Sequence, residues 1–97
     1  MKALRGHILD FLKRIYPREI EELGIISVFY QYYTDRDIRQ SLQYLADKGY
    51  VEIKEISHPL YRRKKVRLYR ITATGIDLLE GTIHDDGVLL EEIGDAP

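Results

Sequence analysis

Between Thr34 and Ile71 the chain spells out a helix start, a helix stop and a hairpin, with little slack between them. Thr34 offers a hydroxyl to an unpaired backbone N–H of a first helical turn. Asp37, three residues on, stands where a capping box places its acid. Ile38, Leu42 and Leu45 then recur at spacings of four and three, one buried stripe of an α-helix. Arg36, Arg39, Gln40 and Gln43 fall on the other side. Gly49 stops the helix, because a residue without Cβ enters the left-handed region cheaply. The spacing therefore predicts a helix over 34–48.

Two β-rich runs follow, YVEIKEI and VRLYRIT, separated by SHPLYRRKK. Val51 and Ile53 alternate with Glu52 and Lys54 in the first, and Leu68 alternates with Arg67 and Tyr69 in the second. That is the period of two of a half-buried antiparallel pair. Pro59 excludes a continuous central strand and puts the tip of the hairpin near His58 to Val66.

A helix with one free, hydrogen-bonding face beside a hairpin with a cationic loop is the order of parts of a winged helix. The runs LQYLADKGYVE (Leu42 to Glu52) and YRITATGIDLL (Tyr69 to Leu79) resemble winged-helix regulators of the PadR and MarR type. The chain also resembles the small winged-helix proteins of Mu-like phages. The likeness lies in the middle of the chain, leaving the two ends outside it. It implies an α+β fold, a winged helix-turn-helix with a three-helix core, a β-hairpin wing and a C-terminal helix. It also implies a partner, double-stranded DNA.

The flanks complete this picture. A first helix is expected from Lys2 to Ile15, with Leu4, Ile8, Leu12 and Ile15 on one face, stopped by Pro17. Arg18 to Ile20 reads as an extended lead-in to a second helix from Glu21 to about Gln31, the strand alternative being kept open by Gly24 and the β-branched residues. Leu23, Ile26 and Tyr30 form its expected buried line, with Val28 and Phe29 beside them, and Tyr32 and Tyr33 make the turn. Thr72 or Thr74 caps a last helix ending at Gly81. Residues 1–81 are thus expected as the winged-helix domain and 82–97 as an acidic tail. This tail is expected either to lie near the basic surface and compete with phosphates or, the preferred reading, to dock its apolar Val88, Leu89, Leu90 and Ile93 on a second subunit, giving a homodimer through the first and last helices and Val88–Ile93.

Net charge, −1 overall, is uninformative until it is divided along the chain. Residues 50–72 carry seven Lys/Arg against two Asp/Glu, whereas residues 73–97 carry seven acids and no Lys or Arg. Binding answers to local field, so a basic hairpin and an acidic tail matter more than their sum. With no cysteine, neither a disulfide framework nor a thiolate zinc site is available. No apolar run approaches the ~20 residues of a membrane span, and no signal-peptide pattern opens the chain. A cytoplasmic protein without a membrane contact is expected.

Catalysis finds no support. His7, His58 and His84 sit in different segments without metal-ligand spacing, and there is no Gly-rich phosphate loop, nucleophile elbow or H-E-x-x-H. His84-Asp85-Asp86 reads as a polar turn. No catalytic residue, metal, cofactor or small-molecule substrate is expected. Nucleic-acid binding has two supports. Arg62, Arg63, Lys64 and Lys65, extended by Arg67, suit phosphates or a narrow minor groove over a wing at 57–66. Arg36, Arg39, Gln40 and Gln43 suit base edges in the major groove, where Arg bonds guanine and Gln adenine. Asp35 and Asp37 oppose this by repelling phosphates near the helix start. The expected function is sequence-specific DNA binding by a transcriptional regulator. The alternative is a winged-helix protein-interaction module, or a phage accessory adaptor without specific DNA binding.

Overall fold

The computed structural model describes residues 1–90. Its first element, α1 (Lys2–Ile15), has the bounds the spacing predicts and buries Leu4, Ile8, Leu9 and Leu12 completely. The chain then forms a two-residue strand, β1 (Ile20–Glu21), and α2 (Glu22–Phe29). A turn over residues 30–34 leads to α3 (Asp35–Asp47), then β2 (Val51–Ser57), β3 (Lys65–Ile71) and α4 (Ala73–Leu79). The strands form one antiparallel sheet in the order β1-β3-β2, with Ile53 and Ile20 both opposite Tyr69. This is the expected α+β winged helix-turn-helix, with a small third strand closing the free edge of the wing at its base.

The punctuation is chemical. The Thr34 hydroxyl accepts the Asp37 N–H at 3.1 Å, and the Thr72 hydroxyl accepts the Gly75 N–H at 3.1 Å. Thr72 also donates to the Gly49 carbonyl at 2.6 Å, tying the end of α3 to the start of α4. Gly49 sits at φ +81°, where a side chain would be strained. Ile38, Leu42 and Leu45 are fully buried, as their spacing requires.

Two expectations about side-chain direction fail. In α2 the buried residues are Ile25 and Ile26, with Phe29 edge-on to Phe11 at 6.1 Å, while Leu23, Val28 and Tyr30 are exposed. This helix is apolar on nearly every side, so periodicity does not choose a face. The pairing of β1 with β3 chooses it, since that fixes how the chain enters the helix. In β3, Tyr69 faces inward with Ile71 and is only 1% exposed, whereas Leu68 is half-buried on the other side. The base of the wing lies on the core, and Tyr69 is buried there because its phenol finds a partner, Glu22.

The segment after α4 packs back on the chain. Val88 is buried in the core cluster, and the Leu89 N–H donates to the Lys2 carbonyl at 3.1 Å. Gly6 admits this approach, because a Cβ there would collide with the Leu89 carbonyl. Val88, one of the residues expected to dock on a second subunit, is therefore used within its own chain. Ile93 lies outside the described residues. Among these residues no helix is long and apolar enough to cross a membrane.

Candidate nucleic-acid interface

The outward face of α3 is built by its inward one. Burial of Ile38, Ser41, Leu42 and Leu45 rotates the helix so that Arg36, Arg39, Gln40 and Gln43 are all exposed. They are not equivalent. Arg39 Nε pairs with Glu22 Oε1 at 3.1 Å, and Gln43 Nε2 donates to Asp47 Oδ1 at 2.9 Å, one turn on. The Arg36 and Gln40 side chains form no hydrogen bond or ion pair with other described residues.

Glu22 joins three elements. Its second oxygen, Oε2, accepts the Tyr69 hydroxyl at 2.6 Å, so one carboxylate holds both the outward Arg39 of α3 and the base of the wing. Burial, helped by the bond to Glu22, pushes the Tyr69 phenol up to about 12, and the influence of the Tyr69 phenol raises the Arg67 guanidinium in turn. Nothing near Glu22 in the sequence hints at this, because its partners lie 17 and 47 residues away.

Charges in the wing separate by height. Along the stem they are paired: Arg67 with Glu55 at 3.7 Å, Arg70 with Glu52 at 3.1 Å, and Lys54 with Glu19 at 3.9 Å. Lys65, the first residue of β3, donates to Ser57 across the hairpin at 3.4 Å. At the tip, Arg62, Arg63 and Lys64 are exposed and have no acidic partner among the described residues. The tip is nonetheless held by its own hydrogen bonds. His58 Nδ1 accepts the N–H groups of Leu60 and Tyr61 at 3.0 and 3.2 Å, and the His58 N–H donates to the Lys64 carbonyl at 2.8 Å. The Tyr61 ring lies 5.0 Å from the imidazole. Sequence reading, which searched His58 for metal ligation, misses this turn-forming role.

A second charged cluster has the opposite character. The Asp85 side chain is 8% exposed, accepts the Tyr50 hydroxyl at 2.6 Å and the Gly87 N–H at 2.7 Å, and pairs with Lys48 at 3.2 Å. These bonds, the Tyr50 one foremost, hold its carboxyl at about 2. Arg5 stacks 3.6 Å over the Tyr44 ring and donates to the Gly87 carbonyl at 2.9 Å. The cluster fastens the chain after α4 to α1 and to the end of α3. Among the described residues no group of three or more potential ligands is gathered to hold a metal ion.

The sequence matches no protein-family model and no curated protein. Solved structures do share the fold. PadR of Bacillus subtilis, in complex with operator DNA, is 18% identical over 97% of this chain and 55% of that one, with a TM-score of 0.62. A MarR mutant from E. coli, complexed with operator DNA, is 20% identical over 84% of this chain and 52% of that one, with a TM-score of 0.62. A mutant of S. aureus MepR, bound to an oligodeoxyribonucleotide, is 19% identical over 79% of this chain and 51% of that one, with a TM-score of 0.61. The chain spans about half the length of each. At low sequence identity, it has the winged-helix fold of the MarR, MepR and PadR regulators.

Proposed function

We propose that the chain binds double-stranded DNA sequence-specifically as a transcriptional regulator, with α3 in the major groove and the wing, residues 57–66, on the backbone or minor groove. The observation that carries this reading is the separation of charge along the hairpin. Acids on β2 and before β1 neutralise the stem, while Arg62, Arg63 and Lys64 at the tip have no acidic partner among the described residues. Cations without acidic partners among the described residues, on a turn held by its own hydrogen bonds, suit a polyanion that arrives from outside. Arg36 and Gln40 are ready to meet base edges. Arg39 and Gln43 exchange an internal partner for a base, which lowers their net contribution to affinity but adds a cost to every wrong base. The three DNA-bound neighbours of similar fold lend support.

The deciding experiment is titration of random and selected duplexes at two salt concentrations. Steep loss of affinity with salt, and preference for some sites over others, are the expected results. A protein-interaction module is the second reading, favoured by the exposure of Leu23, Val28, Tyr30 and Tyr32 on α2 and its turn. It predicts no duplex binding even at low salt.

A further inference from the structure

The apex of the wing is not purely cationic. Leu60 is 79% exposed and Tyr61 64% exposed, immediately before Arg62, Arg63, Lys64 and Lys65. A single exposed leucine needs no explanation on most surfaces. Here its backbone is fixed by bonds that have nothing to do with burying it: the His58 imidazole accepts the N–H groups of Leu60 and Tyr61, and Tyr61 leans on the same ring. The turn thus holds an apolar side chain out into solvent on a hydrogen-bonded backbone, with cations beside it to sit on phosphates. The minor groove is only about 6 Å wide, so a hairpin end enters it by widening it. Partial unstacking of one base step by an apolar side chain does that, at a cost offset by the closer approach to the backbone that a bent duplex permits.

We infer that Leu60 is a wedge that enters one base step from the minor groove and bends the DNA, an inference that rests on the DNA-binding reading above. The step most easily opened is a pyrimidine–purine one, TA or CA/TG. The wing therefore contributes sequence preference at a position where it reads no base edge.

The test uses the full chain and an end-labelled duplex of about 30 base pairs carrying a selected site, the bend being read by energy transfer between the ends. The wild-type complex is expected to be bent by about 20–90°. Leu60→Ser should bind with an unchanged salt slope but leave the duplex nearly straight, and Leu60→Met should restore the bend. Replacing the TA or CA step under the wing by a purine–purine step should reproduce the Leu60→Ser result in the wild-type protein. A straight wild-type complex, or an unchanged bend in Leu60→Ser, overturns the wedge and leaves the DNA-binding reading standing. No duplex binding at low salt overturns both. Binding to phosphatidylserine vesicles in its place would reassign the apolar tip to a membrane surface.

Discussion

The wing tip and the segment after α4 are both loops, both rich in charge and both equipped with apolar residues, yet they are organised in opposite ways. Asp85 is paired with Lys48 and bonded to Tyr50, its carboxylate is nearly inaccessible, and Val88 points into the core. Around Arg62 the charges lack acidic partners among the described residues, and Leu60 points out. A charged loop that satisfies itself stabilises a fold. One that is ordered without satisfying itself is prepared for something else. The difference separates structural charge from candidate interface charge where composition, which sees only a basic hairpin and an acidic tail, does not.

The harshest way to break the comparison is to remove the tip charges. Replacing Arg62, Arg63, Lys64 and Lys65 by Ala should weaken binding to all duplexes alike and flatten the log–log salt slope by roughly 0.9 for each phosphate no longer neutralised. The melting temperature should stay where it was. A quadruple variant with unaltered affinity and slope would remove the tip from the mechanism.

Asp85→Ala should do the reverse, lowering stability and sparing DNA affinity. It strands the Tyr50 hydroxyl and Lys48, and hydrogen bonds to a charged group of this kind contribute about 1.5–3 kcal/mol, to be read by urea unfolding. The sign with pH follows from the carboxyl being held at about 2 against an ordinary 3.8. The folded state favours the ionised form, so this contribution is complete above 3.8 and disappears as pH falls toward 2. Asp85→Ala should therefore melt closer to the wild type at pH 2 than at pH 6. An equal gap at both would mean that the carboxylate does not hold the segment.

How much of the molecule is legible in its sequence depends on whether neighbours along the chain or neighbours in space decide. Thr34, Gly49, Thr72 and the Ile38–Leu42–Leu45 stripe are local signals, and each does what its spacing says. The faces of α2 and β3 are not legible, because the two-residue strand that sets one and the Glu22–Tyr69 bond that turns the other join residues about fifty positions apart. The candidate residues of α3 are legible as exposed but not as engaged. Nothing near Arg39 in sequence announces Glu22. Likewise the role of His58 depends on a tight turn that Pro59 only hints at.

Glu22 sharpens the comparison, since it brings some of the self-satisfied character of the Asp85 cluster to the interface. Arg39→Ala should cost about 1–3 kcal/mol of discrimination between a preferred site and random DNA if Arg39 leaves Glu22 for a guanine. Glu22→Gln separates positioning from reading. It removes the charge that holds Arg39 but keeps an acceptor for Tyr69, so affinity for random DNA should rise while discrimination falls. Parallel changes in both would show that Glu22 acts only on stability or charge.

The smallest effect is expected on the stem. Arg67 and Glu55 are both about half exposed and 3.7 Å apart, a surface pair of the sort that contributes about 0–1 kcal/mol to stability. The Tyr69 hydroxyl keeps its bond to Glu22 without Arg67, so Arg67→Ala should move unfolding only slightly. It should also move the salt slope less than a single tip substitution such as Arg62→Ala, because the positive charge it removes is already offset by its neighbour. Glu55→Gln supplies the counter-test. If the stem lies within about 8 Å of the phosphates, the Debye length at physiological salt, freeing Arg67 from its acid should tighten random-duplex binding and steepen the slope slightly. A stem that stands farther away should respond to neither change. Should Arg67→Ala instead flatten the slope as much as Arg62→Ala, an ion pair in the free protein would be no guide to which cations meet DNA, and the division between paired stem and unpaired tip would have to be abandoned.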